Sequence, residues 1–257
     1  MSAWTSSRSE AGCSPDWQAT LALHLSTPTD WSAPLQPVVE KLATGEPLNV
    51  QDGLLLYNHA DLNEIGSLAH LVRSARFENM AFFNSNVHVN QTNVCVLACK
   101  FCAFRRSKKA KDAYALDIEA YIDDLGQYSE HVDEVHSVGG LHPEWGVEHY
   151  EELFKATRKA YPHITIKALT AVEIKHLSLV SNTTYEETLT RLKQAGLGSL
   201  PGGGAEILDD EVRAIICNGK ESSEEYLEIH RTAHKVGLST NCTMLFGTIE
   251  TLEQRLN

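Results

Sequence analysis

Cys95, Cys99 and Cys102 stand in a C-x3-C-x2-C spacing, with the aromatic Phe101 directly before the third thiol. Three thiols crowded into one loop cannot all pair as disulfides. The spacing matches neither a four-cysteine ferredoxin run nor the paired C-x2-C knuckles of structural zinc. It suits a metal cluster with one corner left open, because a cubane iron-sulfur cluster takes four ligands and three cysteines leave one iron free. Loop amides can point at the sulfides, and Val96, Leu97 and Phe101 can screen them from water. On spacing alone two other readings stay open: a zinc site completed by a distant histidine such as His88 or His142, or three unrelated thiols.

The loop sits in a chain that alternates strand and helix patterns. Val87, Val89 and residues 92–94 form a β-rich run that leads straight into it. Beyond it, strands are expected over 134–138, 164–169, 198–200 and 239–245, and helices over 117–128, 146–161, 185–195, 209–216 and 223–236. Strands alternating with long helices imply parallel β with crossovers, hence a barrel or a doubly wound sheet. No G-x-G-x-x-G follows the first strand, and the residues with chemical promise recur at strand C-terminal ends, where (β/α) barrels keep their chemistry. The expected fold is α/β, a partial barrel over 81–257. Residues 32–80 read as a helical extension: Ser32 caps a helix with Pro34 in its first turn, Leu35, Val38, Val39 and Leu42 form its stripe, and Gly45 stops it. Two further helices are expected over 49–58 and 61–76. Residues 1–31, rich in Ser, Thr and Ala, read as a weakly ordered leader with Cys13 an exposed thiol.

Each further candidate has a functional and a structural reading. Gly139 and Gly140 end a strand, where missing side chains let backbone approach a ligand or simply make a βα turn. Pro201-Gly-Gly-Gly204, with Gly203 foremost, could form a backbone nest with Glu206 beside it, or a tight loop before a helix. Glu173 follows a strand whose alternation points it toward the barrel mouth, to accept from an amine or ribose or to pair with Lys175 or Arg191. Glu173 and His142 are the candidate catalytic residues. His88, His136 and His163 read as structural, and Cys217 and Cys242 as small buried hydrophobes. The basic run 105–111 is either a cationic lip for an anionic substrate or acidic electron donor, or a solvated loop.

Taken together, the cysteine loop, residues 88–95 and 100–104, Glu134-Val-His-Ser-Val-Gly-Gly-Leu-His-Pro143, Lys167-Ala-Leu-Thr-Ala-Val-Glu-Ile174 and Leu200-Pro-Gly-Gly-Gly-Ala-Glu-Ile207 resemble the radical S-adenosylmethionine (SAM) superfamily. Within it they are similar to the aminofutalosine synthases of menaquinone biosynthesis. The resemblance implies a TIM-like (β/α)6 barrel, a [4Fe-4S] cluster on Cys95, Cys99 and Cys102, and SAM on its open iron. It also implies SAM contacts near Phe101, Gly139, Gly140, Glu173, Gly203 and Glu206. The implied small-molecule substrate is an enolpyruvyl benzoate, and the implied electron donor a flavodoxin or ferredoxin. Related cyclases and deazaflavin synthases share the cysteine loop. Two positions depart from the pattern: Gln91 stands where Pro is common, and Thr248 where the fifth-strand motif has His. Members of the resembled family run on past Asn257, so a barrel short of C-terminal strands, with an unpaired edge, is expected.

A chain of 257 residues with net charge −12 and 42% hydrophobic residues suits one large α/β domain and lacks the basic face of a nucleic-acid platform. Neither a membrane span nor a secretory signal is legible, and with three cysteines committed to one loop no disulfide framework is left. The expectation is a reducing cytoplasm.

Overall fold

The computed structural model describes residues 13–26 and 31–257. Its contacts divide the chain into a first unit, Met1–Phe83 with Leu256–Asn257, and a second, Asn84–Arg255.

Among the described residues the first unit contains four helices, α1 (Trp17–Ser26), α2 (Gln36–Thr44), α3 (Val50–Tyr57) and α4 (Leu62–Phe77). Trp17, Leu21 and Leu25 recur every four residues on α1, and Leu21 and Leu25 join Leu35, Val38, Val39, Leu68 and Ala75 in one core. Part of the expected leader is therefore a packed helix; residues 1–12 and 27–30 lie outside the described residues. Cys13, expected to be exposed, is buried, and the neighbouring Ser14 amide donates to Arg76 O at 2.8 Å. Helix α2 begins later than expected, because Ser32 closes a turn with the Leu35 amide and Pro37 occupies the first helical turn. Gly45, at φ 74°, ends it in the left-handed conformation that favours glycine. Helix α3 starts with a reciprocal capping box between Asn49 and Asp52.

The second unit is built on five parallel strands in the order β1-β2-β3-β4-β5: β1 (Asn86–His88), β2 (Glu134–Ser137), β3 (Thr165–Ala168), β4 (Leu197–Leu200) and β5 (Ser239–Thr240). Helices α5 (Ile118–Gly126), α6 (Val147–Ala160), α7 (Ala171–Ser181), α8 (Tyr185–Ala195), α9 (Asp210–Ile216) and α10 (Ser223–Lys235) carry the crossovers, and α11 (Leu252–Leu256) follows. Val135, Ile166, Ala168, Leu197 and Leu200 pack against Tyr121, Phe154, Ile174, Leu189, Leu192 and Ile229 of the helices. Burying such side chains stabilises by roughly 1.5–3 kcal/mol each before entropy is counted. The alternate positions face the other way and are polar. This is the sequential parallel order of a partial (β/α) barrel.

Two differences from expectation matter for the site. Helix α7 is not among the helices expected from the sequence. At its start the Glu173 carboxylate reaches back to accept from Thr170 N and Thr170 Oγ1, in the S/T-x-x-E pattern visible in the sequence. Strand β5 is two residues rather than seven. Beyond it Asn241 N donates to Leu200 O and Thr243 N to Gly202 O, so the backbone runs against the end of β4. A side chain at Gly202 would collide with Asn241 and Cys242 backbone, and Cys242, expected in a buried strand, is exposed.

Candidate functional site

After β1 the chain runs extended through Val89, Gln91, Thr92, Asn93 and Val94, all buried. Side chains, more than a ladder, hold this run. Thr92 Oγ1 donates to Tyr114 O at 2.7 Å, Asn93 Nδ2 donates to Asp112 O at 2.9 Å, and Asn93 Oδ1 accepts from Tyr114 N at 2.8 Å. In place of the strand expected over 92–94 there are two isolated bridges, Thr92 with Ala115 and Val94 with Arg106. They close the neck of the cysteine loop, where Cys95 N donates to Arg106 O at 3.0 Å and Arg106 N to Asn93 O at 2.7 Å. The Arg106 guanidinium then binds the carbonyls of Ala103, Phe104 and Arg105 and the Asp112 carboxylate at 2.6 Å. Within the basic run, Arg106 is thus a clamp, and Lys108 is paired with Glu144.

Above its neck the loop leans on two neighbours. Val96 N donates to Leu141 O at 3.1 Å and Lys100 N to Ile216 O at 2.8 Å. Cys99 packs against Ile207, Val212, Ile216 and Cys217, the last buried as expected. All three loop thiols are half-buried and free. Burial pushes the Cys99 thiol up to about 11, with Lys220 opposing the rise and Cys217, Cys102 and Cys95 adding to it. An iron bound there would displace that proton. Val96 and Phe101, expected as screens, are themselves exposed.

Three soft thiols on one loop fit a cluster. The amides of Leu97, Ala98, Cys99 and Phe101 donate no hydrogen bond among the described residues, which leaves donors for cluster sulfides. Among the described residues no three of His, Cys, Asp and Glu gather as a single-ion site. Of the histidines considered for zinc, His88 stacks on His136 at 4.4 Å and His142 on Trp145 at 4.4 Å.

Glu173 is placed differently from expectation. It is 3% exposed, and it pairs with neither Lys175, which binds Glu225, nor Arg191, which binds Glu148 and Glu151. One carboxylate oxygen accepts from Gly139 N at 3.0 Å and lies 3.4 Å from Gln91 Nε2; the other accepts from Thr170 N at 2.8 Å and Thr170 Oγ1 at 2.7 Å. Burial pushes its pKa up against those hydrogen bonds. Glu173 therefore stitches the end of β2 to the start of α7, helped by Leu169, whose φ of 63° turns the chain sharply. Gln91, the departure before Thr92, completes the network: its Oε1 accepts from Ser137 Oγ at 2.8 Å and its Nε2 donates to Tyr150 Oη at 3.1 Å.

Gly139 and Gly140 lie beneath the cysteine loop. A Cβ on Gly139 would approach Gln91 and Thr92 O to 2.9 Å, and one on Gly140 would strike the Val94 carbonyl. These glycines let the strand feeding the cysteine loop pass close to β2. Their amides donate to Glu173 and to Thr92 O, and their carbonyls accept nothing among the described residues, which suits a ligand ammonium. A Cβ on Gly203 would come within 3.0 Å of the Thr170 methyl. Glu206 binds Lys220 Nζ at 2.5 Å, and that ammonium also lies 5.7 Å from the Phe101 ring centroid. Burial alone would lower the Lys220 pKa, but Glu206 and Glu221 carry it above its usual value, so it stays a cation beside the cysteine loop. Arg213, buried on α9, donates to Gly204 O, Ala205 O and Glu221. Sequence reasoning missed Lys220 and Arg213, whose partners are all brought by folding. His142 is buried, its Nδ1 facing Glu144 N at 3.3 Å, and burial lowers its pKa. His163 meets Ser129 O at 2.9 Å.

The sequence profile of the radical SAM superfamily matches residues 89–257, most of the chain and all of the site just described. The chain belongs to the radical SAM superfamily, whose members use a [4Fe-4S] cluster and SAM. It is 42% identical over 224 residues to the aminodeoxyfutalosine synthase of Thermus thermophilus, covering 87% of this chain and 60% of that protein. It is 39% identical over 232 residues to the cyclic dehypoxanthine futalosine synthase of Streptomyces coelicolor, covering 87% and 57%. A 36% match over 217 residues is to a 5-amino-6-(D-ribitylamino)uracil–L-tyrosine 4-hydroxyphenyl transferase of Methanothermobacter thermautotrophicus, covering 83% and 59%. The chain thus spans about 60% of the length of the curated relatives it matches. In fold it is similar to the hydrogenase maturase HydG, with TM-score 0.64 and 14% identity over 93% of this chain and 52% of that one.

Proposed function

We propose that this chain carries the cluster- and SAM-binding part of an aminodeoxyfutalosine synthase, a radical SAM transferase of menaquinone biosynthesis. In this reading the 5'-deoxyadenosyl group of SAM is added to the enolpyruvyl double bond of 3-[(1-carboxyvinyl)oxy]benzoate, and aryl migration and loss of the carboxylate follow. The observation that carries it is the site's placement: the cysteine loop, Gly139–Gly140, Thr170–Glu173 and Gly202–Gly204 all follow the C-terminal ends of successive parallel strands. The 42% identity to a synthase of that name, against 39% to a cyclase, supports this reading.

The bound cluster would supply one electron to SAM. The residues of the chain do the rest of the positioning. Cys95, Cys99 and Cys102 would hold three irons. The carbonyls of Gly139 and Gly140 would accept from the methionyl ammonium, and backbone at Phe101 would contact adenine. Glu206, held by Lys220, would face the ribose with Gly203 leaving room. Glu173 acts through Gly139 as a positioning residue, and His142 keeps its ring against Trp145 as part of the wall. A flavodoxin or ferredoxin in a reducing cytoplasm would deliver the electron. Among the described residues no helix is long and apolar enough to cross a membrane.

Incubation of anaerobically reconstituted protein with SAM, dithionite and the enolpyruvyl benzoate, read by mass, tests the proposal. An adenosine-containing adduct is expected. Free 5'-deoxyadenosine without adduct would point to a hydrogen-abstracting relative instead.

A further inference from the structure

The sheet face turned away from the helices of the second unit carries polar side chains at one level. His88 pairs in register with His136, His136 with Lys167, Lys167 with Ser199, and Ser199 with Ser239. The preceding residues Val87, Val135 and Ile166 belong to the apolar core on the helix side, so the alternation of parallel strands sends this row to the opposite face. The row lies at or one residue short of the C-terminal ends of β1 to β4, directly below the loops that bear Cys95, Gly139 and Thr170.

Its electrostatics are lopsided. The His88 and His136 rings stack at 4.4 Å and 24°. Burial, then the positive surroundings of His88 and Lys167, hold His136 down to about 4, so its ring is neutral at physiological pH. Lys167 is half-buried and makes no hydrogen bond or ion pair among the described residues. Glu134, one level below on β2, accepts from Asn84 Nδ2 at 2.7 Å. A half-buried ammonium with no ion pair among the described residues, beside imidazole and hydroxyl groups, is a receptor for an anion.

We propose that this row binds a carboxylate of the acceptor substrate, with Lys167 as counter-charge and His88, His136 and Ser199 as hydrogen-bond donors. The inference rests on the reading that the acceptor is an aromatic carboxylic acid. It assigns that acid's charged end to the sheet face and leaves its reactive double bond toward the strand ends.

The test titrates the full chain with benzoate and, as the uncharged isostere, benzamide, following histidine ring signals by NMR. Benzoate is expected to shift the His88 and His136 signals and benzamide to leave them in place. Lys167→Met is expected to weaken benzoate binding about tenfold, and Lys167→Arg to restore it. Equal binding of the two probes, or wild-type affinity in Lys167→Met, overturns the inference. Should Lys167→Met lose its circular-dichroism spectrum, His136→Asn carries the same comparison, with weaker benzoate binding expected and unchanged affinity contradicting. The product assay separates this from the reaction reading. Lys167-dependent benzoate binding without an adenosine adduct leaves the row standing and the synthase reading fallen. Adduct formation by Lys167→Met at an unchanged KM does the reverse.

Discussion

Two strand ends of the second unit handle their polar groups in opposite ways. After β1, backbone hydrogen bonds pin the loop 95–105 at its neck and at two points above it, and among the described residues its thiols and several amides are left unspent. After β3, every oxygen of Glu173 is consumed by Gly139, Thr170 and Gln91. Both segments looked like ligand sites by position. The difference teaches that unspent hydrogen-bonding and metal-binding capacity marks a ligand site, while a satisfied buried carboxylate marks the frame around it.

The comparison breaks most visibly at the cysteines. Cys99→Ala should cut the iron retained after anaerobic reconstitution from about four per chain to near none, because two thiolates cannot hold the cluster; undiminished iron would move the site elsewhere. Next in size is Gly140→Ala. Its new methyl meets the Val94 backbone, which a flexible side chain cannot relieve, so unfolding by urea should report a loss of roughly 3 kcal/mol. Glu173→Ala should cost roughly 2 kcal/mol by stranding the amides of Gly139 and Thr170, and Glu173→Gln less. If Glu173 were instead a SAM ligand, the alanine variant would bind SAM poorly while its melting temperature hardly moved.

Much of this frame was readable in advance, and the failures have physical causes. The parallel strands announced themselves through Val135, Ile166 and Leu200, whose burial follows local alternation. Helices α1 and α7 were legible too, in the spacing of Trp17, Leu21 and Leu25 and in the Thr170-x-x-Glu173 capping box, but composition and the expected mouth position outweighed those signals. The roles of Gly140, Gly202, Arg213 and Lys220 could not be read, because the groups they meet are brought to them only by the fold. Lys167 looked like an ordinary strand residue until register set it beside His136.

The smallest expected effect concerns pH. Burial holds His136 and His149 down to about 4, below the ordinary histidine value of about 6.5. Folded protein then binds fewer protons than unfolded protein, so their stabilising contribution is complete above about 6.5 and is lost as pH falls toward about 4. Chemical denaturation across that window should show the decline, and His136→Asn should flatten it; an unchanged slope would mean the ring is open to water. Cluster loading should move the same way, proceeding more readily at higher pH because Cys99 must shed a proton.

Electron paramagnetic resonance of the anaerobically reconstituted, dithionite-reduced chain, recorded with and without SAM, reaches the open iron corner most directly. The predicted result is a reduced [4Fe-4S] signal that SAM reshapes and that Cys99→Ala abolishes. A chain that takes up zinc in place of iron, or a cluster signal indifferent to SAM, would contradict it.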